Sequence, residues 1–354
     1  ELKGQPGFAQ AFLPRGRAPQ VGELFQFASA ANGLRAIGKT QGQAFYGGAI
    51  AEALERFSNA NDGSLKASDF AAYEAEWVKP ISMDYRGHTL HEIPPNGQGI
   101  AALIALGILD NFDLAALQRD GVDSQHVQIE AMKLAFADVY RYVADESSME
   151  VTAAQMLDKS YLKERAKLID MKRAQDFKAG NPAKGGTIYL TAADENGMMV
   201  SFIQSNYMGF GSGVVIPEWG LSLQNRGHGF SLRSGSPNRV APGKRPFHTI
   251  IPAFLTKDGQ PVMSYGVMGG DMQPQGHAQI LMNMHDYGMN AQEAGDAPRW
   301  RHEGSTDPGV GIPISNGGEV FLETGYGDDV AKALAALGHR IRRAPANYGG
   351  YQAI

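Results

Sequence analysis

One segment of the sequence could carry out nucleophilic chemistry without a cysteine or a histidine. The chain contains no cysteine, and Lys184-Gly-Gly-Thr187 joins a polar stretch to a predicted strand. Cleavage of the Gly186–Thr187 bond would give Thr187 both a hydroxyl and a free α-amine. Because an α-amine has a pKa of about 7.7–8, it can accept a proton near neutral pH. The same residues also suit a plain linker in front of an edge strand, and this segment alone favours that reading.

A hairpin behind Thr187 would bring a second polar side chain to it. Glu195-Asn-Gly197 is a typical hairpin turn between two alternating segments. A three-residue loop places Thr187 opposite Ser205, and a two-residue loop places it opposite Asn206. In both registers a hydroxyl or an amide can contact Thr187.

Two further clusters could bind an anion. Gly269 and Gly270 lie where a predicted strand leads into a helix, so their backbone N–H groups could hold an oxyanion. A tight strand-to-helix turn explains the same glycines equally well. Arg226, in the loop that begins at Gln224, could bind a substrate carboxylate through two hydrogen bonds. A solvated loop arginine is the alternative.

One further motif gives only weak evidence of function. Residues 33–40, Gly-Leu-Arg-Ala-Ile-Gly-Lys-Thr, match the phosphate-loop pattern GxxxxGK[ST]. A true phosphate loop follows a buried strand, whereas this stretch continues a helical pattern, so we predict the end of a helix.

The nine histidines are scattered and no HExxH occurs. His88 and His91 are three apart on a predicted strand and therefore face opposite sides, so we expect no metal and no cofactor.

Composition excludes several classes of protein. The absence of cysteine excludes disulfide scaffolds, iron–sulfur centres and thiol nucleophiles. A net charge of -5 without a Lys/Arg block argues against a nucleic-acid partner. The longest apolar run, Ile100–Leu109, has about half of the ~20 residues that a membrane span needs. The 354-residue chain starts with neither a methionine nor a signal peptide.

The elements that must position these residues divide the chain into a helical and a β-rich half, with a polar linker over residues 171–186. This order is typical of an α+β or layered-sandwich fold. Helices are predicted over 21–37, 43–57, 68–73, from 100 onward, 122–144 (the clearest amphipathic pattern), 159–170, 275–286, 291–297 and 328–337. Strands are predicted over 81–85, 88–93, 187–194, 198–205, 220–224, 249–256, 261–265, 320–322 and near 341.

Together these segments resemble the gamma-glutamyltranspeptidase family of N-terminal-nucleophile (Ntn) amidohydrolases. The resemblance covers nearly the whole chain. Its strongest pieces are Gly186-Thr187 with its hairpin, Gly-Phe-Gly-Ser-Gly-Val-Val at 209–215, Ala-Pro-Gly-Lys-Arg-Pro at 241–246 and Val-Met-Gly-Gly at 267–270. So many matches in the correct order favour Thr187 as a nucleophile over the plain linker.

The resemblance implies an α+β, four-layer αββα sandwich that is made as a precursor and cleaves itself. Residues 1–186 would be the large subunit and 187–354 the small one, and both outer ends are expected to be truncated. Thr187 would be the nucleophile and its own α-amine the base. Gly269 and Gly270 would form the oxyanion hole, and Ser205 replaces a threonine that assists the nucleophile.

The departures from the family concern the acyl pocket. Gly229 stands where relatives hold the glutamyl ammonium with an acid, and Arg226 replaces a glutamine. Tyr207 replaces an asparagine, and a histidine–threonine pair replaces two serines. The pocket therefore loses a carboxylate and gains a cation, which favours an acyl group with an acid and no ammonium. The residues expected to bind substrate are Tyr207, Gln224, Arg226, His248 and Thr249.

The function expected is that of an autoprocessing amidohydrolase or acyltransferase acting on a small amide. True gamma-glutamyl transfer from glutathione is one alternative, and an uncleaved, catalytically silent relative with a binding or structural role is another. We expect no nucleic-acid partner and no membrane span, and homo-oligomers of the heterodimer stay open. A typical family member would be periplasmic or secreted and an amidohydrolase-like relative cytoplasmic, and the sequence does not choose.

Overall fold

The computed structural model describes residues 1–177, 186–304 and 317–354, with Gly186 and Thr187 described by their backbone alone. The chain forms two compact units. The smaller comprises residues 1–77 and 206–225, and the larger comprises residues 78–205 and 226–354. The predicted linker at 171–186 lies partly outside the described residues, and the predicted subunit division at 186/187 stays a prediction.

The helices of the described residues are α1 (Phe8–Phe12), α2 (Ala28–Lys39), α3 (Gln43–Tyr46), α4 (Ala49–Ala60), α5 (Ala67–Ala71), α6 (Ile100–Leu109), α7 (Val122–Tyr142), α8 (Ala153–Met156), α9 (Lys159–Ala166), α10 (Met272–His285), α11 (Ala291–Asp296) and α12 (Asp328–Ala336). The strands are β1 (Ile81–Tyr85), β2 (His88–Glu92), β3 (Gly186–Ala193), β4 (Met199–Tyr207), β5 (Val215–Ile216), β6 (Leu221–Ser222), β7 (Ala253–Lys257), β8 (Gln260–Val267), β9 (Trp300–Glu303), β10 (Glu319–Leu322), β11 (Ile341–Arg343) and β12 (Tyr351–Ala353).

The smaller unit contains the phosphate-loop pattern, which lies in a helix as predicted. Helix α2 begins at Ala28, later than predicted, and Thr40 ends it with a backbone hydrogen bond to Ala36. The helix predicted over 43–57 is two helices, because Gly47-Gly48 separates α3 from α4. Ile50 and Leu54 of α4 pack with Ile216 of β5 in a small apolar core.

A five-stranded antiparallel sheet of order β1-β2-β7-β8-β12 organises the larger unit. Its strand β8 is buried from Met263 to Val267, so the sheet is covered on both faces there. Tyr265 points to the helices, and its hydroxyl donates to the carbonyl of His277 in α10 at 3.3 Å. Ser264 points the other way and accepts a hydrogen bond of 2.7 Å from Thr191 of β3. The alternation of side chains along the strand therefore joins a helical layer to the β3–β4 pair.

The hairpin between β3 and β4 has the longer of the two loops that the sequence leaves open. The N–H of Asp194 donates to the carbonyl of Met198 at 3.0 Å, so Glu195–Gly197 is a three-residue loop. Gly197 has φ of +81°, which glycine adopts without a steric penalty. A register that continues from this pair places Ser205 opposite Thr187.

Helix α7 differs from its predicted character. The sequence indicates one polar and one apolar face, yet every residue from Ser124 to Tyr140 is buried. The polar side chains satisfy one another inside the protein: the ammonium of Lys133 donates to Glu130 at 2.7 Å and to the carbonyl of Gln175 at 3.2 Å. Burial raises the pKa of Glu130, and the charge of Lys133 opposes this shift. The amphipathic prediction is wrong because these partners are tertiary and leave no trace in the local pattern.

No helix in the described ranges has both the length and the apolar character required to cross a bilayer. Strands β5, β9 and β12 were not predicted, because all three are short, and β12 pairs with β8, a strand distant in the sequence. Strands β1 and β2, from the helical half, join the main sheet through β7.

Removing the charge of Lys133 should destabilise the protein strongly. Lys133→Met leaves the Glu130 carboxylate buried without its cation, which costs about 3–5 kcal/mol in comparable pairs. The double variant Glu130→Gln/Lys133→Met should recover much of this loss, since no unpaired charge remains. Urea unfolding of the three proteins measures both effects. A Lys133→Met variant as stable as the wild type would contradict the role of the pair.

Candidate functional site

Two glycines at the end of β8 leave their amide groups available to an anion. Gly269 has φ of +119° and Gly270 has φ of +62°, values that side chains other than glycine rarely adopt. Their carbonyls accept hydrogen bonds of 3.1 Å from Met272 and Gln273, in the first turn of α10. In the part of the chain that the structure describes, neither glycine N–H has an acceptor. Two such N–H groups at the positive end of a helix suit an oxyanion.

The strand side of this loop is fixed by a buried histidine. The N–H of Val267 donates to Nε2 of His277 at 3.2 Å. Because Nε2 accepts, the ring proton lies on Nδ1, which donates to Oε1 of Glu92 at 2.7 Å. Both side chains are fully buried. Met268, which lies between Val267 and the paired glycines, donates its N–H to the carbonyl of Gly350 at 3.0 Å.

A buried guanidinium forms the second part of the site. Arg226 begins a short 3-10 turn, Arg226–Gly229, and is 4 % exposed. Its Nη1 donates to Oγ1 of Thr249 at 2.6 Å. Burial and the charge of Arg226 lower the pKa of neighbouring His248 to about 3. His248 is therefore neutral at physiological pH, and Arg226 is a permanent cation.

Asp271, directly after the two glycines, is an acid that the sequence reasoning missed. Burial raises its pKa to about 7, and Glu303 adds to this shift while Arg226 opposes it. A carboxyl that titrates near neutral pH is typical of functional sites. The signal in the sequence was its position after the paired glycines, but the sequence does not show that it is buried.

The amide of Gln98 joins the two parts of the site. Its Nε2 donates to the carbonyl of Thr249 at 2.7 Å and to the carbonyl of Gly270 at 2.9 Å. This segment lies between the strand predicted over 88–93 and the helix predicted from 100, and no role in the site was predicted for it. A glutamine between two glycines gives no sign of its partners.

The structure brings together five of the residues that the sequence singled out, through the contacts given above: Arg226, His248, Thr249, Gly269 and Gly270. Gly186 and Thr187 begin β3, but the side chain of Thr187 lies outside the described residues, so its role as nucleophile stays a prediction.

Of the remaining predicted residues, Ser205 and Tyr207 lie in β4, and Gln224 lies between β6 and the turn that begins at Arg226. Ser205 is half-buried near the end of β4. Tyr207 and Gln224 belong to the smaller unit. Tyr207 is buried and has φ of +78°, an unusual conformation for a tyrosine. Gln224 is exposed. Their roles in substrate binding stay predictions.

One buried cluster has side chains that could ligate a metal: His126, Glu130 and His339. Nδ1 of His126 lies 2.7 Å from Nε2 of His339, a hydrogen-bonding distance. Glu130 already accepts from Lys133 and from the N–H of Gln175. The ammonium of Lys133 at the Glu130 carboxylate would repel a metal cation, so this set of donor atoms does not fit a metal as it is arranged.

Comparison with known proteins shows the family of the chain. A family model described as gamma-glutamyltranspeptidase matches residues 1–354. The glutathione hydrolase-like YwrD proenzyme of Bacillus subtilis is 38% identical over 299 residues, 84% of this chain and 57% of that protein. The oxamate amidohydrolase proenzyme of Klebsiella pneumoniae is 36% identical over 85% of this chain and 56% of its own length.

A solved structure extends this similarity. The cephalosporin acylase from Bacillus halodurans is 47% identical, with a TM-score of 0.88 over 98% of this chain and 62% of that chain. The α+β, Ntn-hydrolase fold that the sequence predicts is thereby confirmed. The chain spans less than two thirds of the length of each of these three proteins.

The free energy of unfolding should fall between about pH 4 and pH 7 because of Asp271. The folded protein holds this proton up to a pKa of about 7, whereas the unfolded chain releases it near pH ~4. The contribution of the protonated Asp271 to the free energy of unfolding is a few kcal/mol. This contribution is complete below pH ~4 and is lost as the pH rises through 7. Asp271→Asn should remove this component. Urea unfolding at several pH values tests it, and identical pH profiles for both proteins would contradict the raised pKa.

Proposed function

The chain belongs to the gamma-glutamyltranspeptidase family, and we propose that it functions as an autoprocessing Ntn amidohydrolase or acyltransferase. The observation that carries the proposal is the pair of free amide groups at Gly269 and Gly270, joined through Gln98 and Thr249 to a buried guanidinium. The amide groups would hold an oxyanion, and the guanidinium would hold an acid on the acyl group.

In the proposed reaction, Oγ1 of Thr187 attacks the amide carbonyl and its α-amine takes the hydroxyl proton. The carbonyl oxygen gains negative charge and is stabilised by the N–H groups of Gly269 and Gly270. The C–N bond then breaks, and the proton passes from the α-amine to the leaving amine. An ester between Thr187 and the acyl group remains. Water or an acceptor amine releases it by the same steps in reverse order.

We propose that the acyl group carries a carboxylate and no neighbouring ammonium, as in a dicarboxylic monoamide or a glutaryl amide. Arg226 is buried, so an anion that reaches it forms a charge-assisted hydrogen bond away from water. Gly229, at the position of the family's acid, offers no partner to an ammonium group. The names of two relatives, an oxamate amidohydrolase and a cephalosporin acylase, support this class, since oxamate is itself a dicarboxylic monoamide.

A gamma-glutamyl substrate is the second candidate, and Asp271 is the observation that favours it. A carboxylate beside the oxyanion loop could pair with a glutamyl ammonium. Its pKa of about 7 leaves much of it uncharged at neutral pH, however, which weakens such a pair. We therefore rank this substrate second.

The first prediction of this proposal concerns self-cleavage. Residues 1–354 should separate on a denaturing gel into bands of about 20 and 18 kDa, at ~110 Da per residue. Thr187→Ala should remain one band and have no activity, because both reactions need the hydroxyl. Thr191→Ala is a matched control on the same strand and should cleave. A wild-type chain that stays at 38.0 kDa favours the silent relative, and turnover by Thr187→Ala would refute the nucleophile.

The second prediction concerns the acyl group. The kcat/KM for a glutaryl anilide should exceed that for a gamma-glutamyl anilide by about 10-fold or more. Both compounds carry the carboxylate, but the glutamyl ammonium would lie near the cation of Arg226 without an acid at Gly229, and an unpaired charge away from water costs at least the ~1.4 kcal/mol that a tenfold change represents. Arg226→Gln restores the family residue and should remove most of this preference. A wide preference for the glutamyl compound in the wild type would show that our interpretation of Gly229 and Arg226 is wrong.

A further inference from the structure

Gln98 is held in one orientation by its surroundings. Its side chain is fully buried, and one nitrogen, Nε2, donates to two carbonyls. A carboxamide nitrogen has two hydrogens, so both are used. Rotating the amide by 180° would turn its oxygen towards two carbonyl oxygens, which repel it. Oε1 has no hydrogen-bond partner in the described residues. The two donated bonds therefore fix the orientation of the amide even though its buried oxygen is unsatisfied.

The two carbonyls belong to the two halves of the candidate site. One is that of Thr249, whose hydroxyl accepts from Arg226. The other is that of Gly270, whose N–H is one of the two free amide groups. Gln98 is thus the side chain that connects the anion-binding residues directly to the oxyanion loop.

The backbone around Gln98 provides the rigid support for this connection. The N–H of Gln98 donates to the carbonyl of His248 at 2.9 Å, and the N–H of His248 donates to the carbonyl of Asn96 at 3.0 Å. The segment is therefore paired with the residues that precede Thr249. Its side chain reaches from this fixed frame to Gly270.

We propose that Gln98 is a positioning residue that sets the place of the Gly270 amide relative to the bound acyl group, an inference that rests on the proposed function. Two successive glycines with positive φ have wide backbone freedom. Their N–H groups stabilise an oxyanion only if they already point at its position. An error of about 1 Å in such a group can cost ~100-fold in rate. The bond from Gln98 to the carbonyl of Gly270 restrains this freedom at the second glycine, as His277 restrains it ahead of the first.

The test compares two buried glutamines in the cleaved enzyme. Gln279 is 4 % exposed, and its Nε2 also bridges two carbonyls, those of Gln275 and Trp300, at 3.1 and 2.9 Å. Gln98→Met and Gln279→Met remove the same groups with little change in side-chain volume. Both should lower the melting temperature. Only Gln98→Met should lower kcat for the glutaryl anilide, by roughly 30- to 100-fold, with KM within about threefold of the wild type.

Equal kcat values for the two variants, at wild-type level or reduced alike, would overturn the positioning role. A change confined to KM would also overturn it, since a misplaced oxyanion loop acts on the transition state. If Gln98→Met does not fold, Gln98→Glu keeps the shape and replaces the NH₂ group by oxygen, and the same kcat loss is expected. A wild-type enzyme that turns over neither anilide would instead refute the proposed function, and with it this role.

Discussion

The candidate site depends on the close contact between the end of strand β8 and helix α10. A methyl group at Gly276 would lie 2.5 Å from Cγ1 of Val267, so only glycine allows the helix to approach this strand. The short distance lets His277 reach the N–H of Val267 and lets Met272 and Gln273 reach the glycine carbonyls. These bonds use the carbonyls of Gly269 and Gly270, and their N–H groups have no acceptor within the described ranges. An unpaired amide group is costly when it is buried, and here the surrounding bonds hold the loop in that state.

Buried ionisable groups serve different purposes in two places of the larger unit. Around α7, Lys133 and Glu130 satisfy each other and the backbone of Gln175, so the pair stabilises a buried helix. Around the glycine loop, burial raises the pKa of Asp271 to about 7, although the charge of Arg226 opposes this shift. An acid with a pKa shifted in this way is typical of a functional site.

The sequence predicted those features whose causes are local. The neighbouring strands β1 and β2, the hairpin between β3 and β4 and the helical nature of the phosphate-loop pattern all follow from turn chemistry and periodicity. The burial of α7, the pairing of β12 with β8 and the contacts of Gln98 depend on residues far along the chain. A single sequence carries no signal for such partners, so these features could not be predicted.

The charge of the candidate site depends on a residue that the sequence did not reveal. Relative to the family that the sequence resembles, an acid is lost at Gly229 and a cation is gained at Arg226, and the structure adds the buried acid Asp271. The cation is permanent, because a guanidinium keeps its proton at any physiological pH. The acid is conditional, because its pKa lies near 7. Below that pH Asp271 is mostly uncharged beside the cation of Arg226, and above it the carboxylate offsets Arg226. The preference that we propose for an acid on the acyl group would therefore depend on both residues.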